Sequence, residues 1–153
     1  MTNVKPCARP CLVGDAAIAA ARVLRVTRSG SHAIQLGVGP DSTSPRNTRR
    51  LFAAHFANHP RLDDLLLCLS EVVTNAVLHA GPPIQVSGDM VDTKVRVEVS
   101  DGSKAAPVQR KAEQTSPTGR GLNLLDNLAS AWGVEITSTG KTVWFEISGV
   151  SAA

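Results

Sequence analysis

Glu71, Asn75 and His79 recur at intervals of four in the segment SEVVTNAVLHAG. On a helix each interval advances 400°, so the three stay within about 80° of one face, apart from the main leucine seam. An Asn carbonyl oxygen is a hard ligand that can hold Mg²⁺ without adding a charge that repels phosphate. A Glu one turn earlier can take a proton from an attacking hydroxyl or water. Three polar residues on a solvated helix face would give the same spacing, and spacing alone leaves both readings open.

Asp101 closes the segment VEVSDGS and shares its parity with Val95, Val97 and Val99. In a strand that parity aims its carboxylate the way the core points. An inward carboxylate is costly unless something donates a hydrogen bond to it, and an adenine amino group would do so. Guanine presents a carbonyl oxygen at that position, so a carboxylate alone predicts a preference for ATP over GTP. The alternative is a strand-ending Asp that accepts a backbone N–H from Ser103 or Lys104 in an Asx-turn. Further on, Thr118-Gly119-Arg120-Gly121 runs into an apolar-periodic segment. Free amides at a helix start bind anions, and glycines let backbone approach phosphate closely. A lone Gly-x-Gly is also what a flexible loop ending at a helix looks like.

The elements that must position these residues can be read from periodicity. Ile34, Leu36 and Val38 alternate as a first strand that stops at Gly39-Pro40-Asp41. Ser44 reads as an N-cap with Pro45 at the first helical position, and the helix runs to about Asn58. Pro60 opens the strongest helix, with Leu62, Leu65, Leu66, Leu69, Val72, Val73, Ala76 and Val77 at helical spacing. Ala80-Gly81-Pro82-Pro83 ends it. Strands follow at Ile84–Met90 and Lys94–Ser100. Residues 102–118 are polar and aperiodic, a connection of ~17 residues, longer than most, and such loops are functional lids or disordered. A helix resumes at Gly121 with Leu122, Leu125, Leu128 and Ala129, capped by Gly133; Val134–Ser138 and Thr142–Ile147 form a closing hairpin.

The 153 residues suit one domain. Residues 1–31 read as a flexible N-terminal tail, 32–148 as the domain and 149–153 as a C-terminal tail, with a short amphipathic helix at 15–28 as the alternative for part of the first. The net charge of +3 is misleading as a whole. Residues 1–30 carry five basic side chains against Asp15, a net of +4, and residues 31–153 carry 11 basic against 12 acidic, a net of −1. The folded part therefore has no electrostatic footprint for nucleic acid, and aromatics at 3% with no Tyr give no base-stacking platform. The core is expected to be Val, Leu, Ile and Ala. Cys68 falls in an apolar helical run and reads as a small hydrophobe, while Cys7 and Cys11 lack the partners of a metal site. No stretch approaches the ~20 apolar residues that span a bilayer, and the expected location is cytoplasmic, with no membrane contact.

Taken together and in this order, SEVVTNAVLHAG, VEVSDGS and TGRGLNLLDNLA resemble the N-box, the adenine-binding box and the glycine lid box of the GHKL ATPase superfamily. The closing WGVEITSTGKTVWFEI is similar to the end of small bacterial anti-sigma factor serine kinases, and the resemblance covers about residues 32–148. It implies a two-layer α/β sandwich, with ATP between the helices and a mixed sheet that carries the helices on one face. It assigns Asn75 to Mg²⁺, Glu71 to the catalytic base, Asp101 to the adenine amino group, and Gly119 and Gly121 to phosphates. Thr142 would help at the adenine through water, and Arg120 would pair with the terminal phosphate. The implied activity is binding of a sigma factor or similar target and phosphorylation of an antagonist protein on Ser or Thr; homodimerisation is also implied.

The sequence departs from the pattern at Asp101-Gly102-Ser103, which lacks a second downstream glycine, and no phosphoacceptor-His helix precedes the fold. The competing function is a non-catalytic, ATP-dependent protein-binding module. An orphan catalytic fragment of a histidine kinase ranks behind it, and DNA binding last.

Overall fold

A computed structural model of the chain describes residues 32–103 and 120–150. Eight elements follow one another: β1 (His32–Val38), α1 (Ser44–His55), α2 (Leu62–His79), β2 (Ile84–Val91), β3 (Lys94–Asp101), α3 (Arg120–Leu128), β4 (Ala131–Ile136) and β5 (Lys141–Ser148). The tail 1–31 with Cys7 and Cys11, most of the 102–118 loop, and Gly119 lie outside the described residues.

The strands form one sheet in the order β1-β2-β3-β5-β4. Every pairing is antiparallel, which corrects the mixed sheet expected above. The reason is where β5 inserts. Strands β3 and β4 run the same way, as two strands joined through a helix commonly do, but β5 lies between them and pairs antiparallel with both. Helices cover one face, giving the two-layer α/β sandwich.

Strict alternation in β3 and β5 builds that face. Val95, Val97 and Val99, and Val143, Phe145 and Ile147, are buried, and the residues between them are only half-buried. On α2, Leu65, Leu69, Val72, Val73 and Ala76 recur at intervals of three and four and are buried against the sheet. Each full burial of a Leu or Val side chain is worth about 1.5–3 kcal/mol relative to exposure. The core is less purely aliphatic than composition suggested, because Phe52, Phe56 and Phe145 are all fully buried. Cys68 is buried as well, and desolvation, followed by the charge of Asp64, pushes its thiol up to about 11.

Three local readings shift. Helix α1 is preceded by Thr43, so Ser44 is inside the helix and not its cap. The organising group is Asp41, whose carboxylate accepts from the Thr43 N–H (2.9 Å), the Thr43 hydroxyl and the Ser44 hydroxyl (3.2 Å); these hydrogen bonds, the Thr43 hydroxyl first, hold its pKa below the usual range. Helix α2 begins at Leu62 after Arg61, two residues past Pro60. Gly133 does not cap a helix: it lies inside β4, opposite Trp144, and a Cβ there would come within 2.9 Å of the indole. Gly81 does adopt a left-handed conformation (φ +72°) just past α2, as the cap reading requires.

Gly88 is the pivot of the α1–sheet contact. It sits on the inward face of β2, where an added Cβ would meet Phe52 Cε1 at 2.7 Å and Phe56 Cε2 at 3.0 Å. The two rings already pack against each other with centroids 5.6 Å apart. Gly88→Ala is therefore expected to destabilise the fold by about 1–3 kcal/mol, the usual cost of overpacking. Urea unfolding that leaves the midpoint unchanged would show that the aromatic pair yields freely.

Candidate functional site

The sandwich has two ends that differ in chemistry. At one end His59, 5% exposed, bonds through Nε2 to the Thr93 carbonyl (3.0 Å) and accepts the Arg61 N–H at Nδ1 (3.2 Å). Arg61 pairs with Asp64 (2.8 Å) and donates to the carbonyls of Leu128 (2.9 Å) and Ser148 (3.5 Å). A guanidinium on the last carbonyl of α3 also complements the negative end of that helix. The last turn of α3 is thus held beside the start of α2. Its nine residues span ~13 Å, so its first turn lies further along α2, toward the opposite end of the sheet.

That opposite end gathers the sequence-predicted polar residues. The loop after α2 enters β2 at Ile84, so the C-terminal half of α2 shares an end of the sheet with the last residue of β3. Asn75 and Glu71 are half-buried on α2, and His79 is exposed. Neither Glu71 nor Asn75 makes a side-chain hydrogen bond or ion pair among the described residues. Their neighbours Ser70 and Thr74 instead bond back to the Leu66 and Ser70 carbonyls (2.7 and 2.6 Å).

Asp101 is inward and 6% exposed, as its parity predicts. Its two oxygens have different partners. Oδ1 accepts the Ser103 N–H at 2.8 Å, the Asx-turn, while Oδ2 faces the interior. There it meets a partner that the sequence reading missed, the Lys141 ammonium at 3.2 Å. The two residues are register partners of β3 and β5, and their side chains are 2% and 9% exposed. The signal was available: Lys141 has the parity of Val143, Phe145 and Ile147, the same argument that turned Asp101 inward.

Thr142, one residue on, points to the other face of the sheet, where its hydroxyl lies 2.8 Å from that of Ser100. Its neighbours there are Trp144, with Arg96 stacked 4.1 Å over the ring, and Glu146, which Arg96 and Lys94 both reach at 3.3 Å. On the Asp101 side, β5 therefore presents Lys141 and not Thr142. Arg120 and Gly121 form the first turn of α3, and Gly119 lies outside the described residues.

Two close approaches fix the Asp101 turn. A Cβ on Gly140 would fall 1.8 Å from the Asp101 carbonyl oxygen, and one on Gly102 would fall 3.1 Å from that of Pro82. The Gly140 carbonyl is itself bound by the Thr137 N–H and hydroxyl (2.7 and 3.0 Å). Among the described residues no group of three or more His, Cys, Asp or Glu is disposed to hold a metal, so a cation here would need ligands beyond such a cluster. No described helix is long and apolar enough to cross a membrane.

These features define a two-layer α/β sandwich with a buried, paired carboxylate at the end of β3 and half-buried Glu71 and Asn75 on α2. Residues 41–147 match the histidine kinase-like ATPase domain, well over half the sequence, and the chain belongs to that family. No curated protein matches it. Among solved structures, it is similar to the chain comprising the RsbU and RsbW domains of Rv1364c from Mycobacterium tuberculosis, with a TM-score of 0.59 and 20% identity over 76% of this chain. It spans only 32% of that chain. The histidine kinase domain of the blue-light activated histidine kinase from Erythrobacter litoralis EL346 matches with a TM-score of 0.45 and 25% identity, over 58% of this chain and 45% of that one.

Gly140→Ala is expected to destabilise more than Gly88→Ala, because it collides with backbone, which cannot rotate away as a ring can. Side-by-side urea melts check this ordering; a milder effect at Gly140 would mean that the Asp101 turn shifts without cost.

Proposed function

We propose that this chain is an ATP-binding regulator of the anti-sigma type, which binds a sigma factor or similar partner and phosphorylates an antagonist protein on Ser or Thr. The features that carry the nucleotide part are, in a histidine kinase-like ATPase fold, the buried inward Asp101 carboxylate and a half-buried Asn75 with no side-chain hydrogen bond among the described residues. The likeness of the three boxes to small anti-sigma kinases, and of the fold to a chain containing an RsbW domain, supports the regulatory part.

The residues present fit a magnesium–nucleotide complex. Asn75 offers a half-buried amide with no protein partner among the described residues, and its oxygen would hold Mg²⁺ jointly with phosphate oxygens. When bound, Mg²⁺ neutralises phosphate charge. Asp101 receives the base edge. Gly119, Gly121 and the first amides of α3 accept the phosphates, with Arg120 on the terminal one. Glu71 takes the proton of the attacking Ser or Thr hydroxyl while that oxygen bonds to the terminal phosphorus and the bond to the ADP oxygen breaks.

A carboxylate one turn before Asn75, with no ion-pair partner among the described residues, favours a catalytic over a purely sensing role. Glu71→Gln keeps the shape and removes the base. ATP affinity should then stay within a few-fold while phosphotransfer to the antagonist falls by ~10²–10⁴. Unchanged transfer would overturn the mechanism and leave the ATP-dependent binding module.

Asn75→Ala separates the metal from the nucleotide. ATP binding in Mg²⁺ should weaken roughly tenfold, the worth of about 1.4 kcal/mol, and much less in EDTA. Calorimetric titration under both conditions reads this directly, and equal affinities for variant and wild type in both would remove Asn75 from the metal.

A further inference from the structure

Helix α1 carries Arg46, Arg49 and Arg50 and no Asp or Glu. The three arginines stand at i, i+3 and i+4, within about 100° of one face. All three are exposed, and the buried residues Ser44, Thr48 and Phe52 take the other side of the helix. We propose that this stripe is a docking surface for an acidic helical segment of a protein partner, with carboxylates spaced i, i+3 or i+4. The inference deepens the proposed function by giving the partner's chemistry, and it rests on that reading only in taking the regulated partner to be a protein.

Among the described residues nothing answers this charge. The ion pairs there belong to Arg61, Lys94, Arg96 and Lys141, and none involves the stripe. Arg49 donates to the Ser70 hydroxyl at 3.4 Å, a long contact, while Arg46 and Arg50 make no side-chain hydrogen bond there. The arrangement works against the helix itself. Like charges at i, i+3 and i+4 repel. Arg46 also stands in the first turn, at the positive end of the helix dipole, where an acidic residue is favoured and none is present. Helix α2 keeps the rule that α1 breaks, with Asp63 and Asp64 in its first turn. A local rule broken without compensation inside the fold points to a gain made outside it.

The surroundings narrow what that gain is. Residues 31–153 carry 11 basic and 12 acidic side chains; without the three arginines the balance is 8 against 12, a net of −4. A long polyanion would meet that surrounding charge, whereas a short acidic segment meets the stripe alone. Arg46 and Arg50 lie ~6 Å apart along the helix axis, which matches carboxylates four residues apart on a partner helix. A guanidinium takes a carboxylate through two parallel N–H···O bonds, which adds geometry to the attraction. The Ser70 contact sets the stripe against α2 one residue before Glu71. A segment seated there runs alongside the helix that carries the proposed base.

The probe is a displayed library of random helical peptides, selected on the full chain and then measured in solution by fluorescence anisotropy. Selected peptides should carry Asp or Glu at i, i+3 or i+4 spacing. Their affinity should weaken with added salt and fall at least about tenfold when Arg46→Glu, Arg49→Glu and Arg50→Glu are combined. Combining Arg22→Glu, Arg25→Glu and Arg28→Glu removes the basic run ahead of the domain and should leave affinity within about twofold. Peptides without the acidic spacing, a stripe variant that binds like wild type, or a loss confined to the Arg22, Arg25 and Arg28 variant would each overturn the proposal. So would a DNA duplex that displaces the peptides at matched charge, which would make the stripe a general polyanion site. Calorimetric titration with ATP keeps the two readings apart. The stripe variant should bind ATP as wild type does, and a wild type that takes acidic peptides but no nucleotide would sink the proposed function and leave the stripe standing. Thermal melts report folding. Should the triple variant not fold, Arg50→Glu decides alone, with a loss of about threefold expected and none overturning the seat.

Discussion

A carboxylate buried at the end of a row of valines is the constraint around which one half of this domain is arranged. Val95, Val97 and Val99 carry β3 through the core, and the same parity delivers Asp101 into it. Such a group is tolerable only when hydrogen-bonded and paired, and removing one partner from a buried ion pair costs about 3–5 kcal/mol. The surroundings meet that demand from three directions. The chain turns so that Ser103 donates, β5 starts with Lys141 in register, and Gly140 lets the β4–β5 turn close directly over the Asp101 carbonyl. A pair of well-packed apolar residues would do the structural task as well or better. The retention of charge in this place is an argument for function, since it holds a donor and an acceptor ready where a core would want neither.

The other end of the sandwich ties α3 to the start of α2 and to the sheet. His59 and Arg61, just before α2, reach the β2–β3 turn, the end of β5 and the last carbonyl of α3. Helix α3 is anchored at its C-terminus, and Leu125 buries fully into the core. Its first turn, which carries Arg120 and Gly121, follows directly on the long segment after Ser103. The anchored end and the first turn of α3 are thus separated by only about two turns of helix.

Much of this was legible in the sequence wherever burial on one face imposed a period. The α2 seam, the alternation of β3 and the inward aim of Asp101 follow from periodicity, and the structure has them as read. What failed depended on partners distant in sequence. Gly133 looked like a helix cap because nothing local says that Trp144 will lie across it. Ser44 is the local exception: a Ser before Pro45 looks like a cap, but the Asp41 carboxylate binds Thr43 and Ser44 and the helix begins at Ser44, with Thr43 as its cap. The mixed sheet was an implication of the resemblance, and the insertion of β5 between β3 and β4 that makes every pairing antiparallel is a matter of topology, which no strand encodes by itself. Lys141 is a different sort of miss. Its parity was plain, but a lysine at a strand start is ordinarily read as solvated, and only the register with Asp101 turns it into part of the site.

The pairing also bears on how phosphates would be held. A lysine near a nucleotide is usually counted as phosphate charge compensation, but here its charge is already opposed by Asp101 at 3.2 Å. The pair is neutral as a unit, so it adds little field at the distance of a phosphate chain. The residues from 31 onward carry a net charge of −1, so the fold supplies no general attraction either. Under the proposed function, the work of holding a polyphosphate passes to the amides at the start of α3, to Arg120 and to a cation shared with Asn75. The division is then sharp. Under that reading the base end would present a charge-neutral pair, and the phosphate end would supply affinity through a cation and helix amides. The two tasks would then rest on different elements of the fold, β3 and β5 for the base and α2 and α3 for the phosphates.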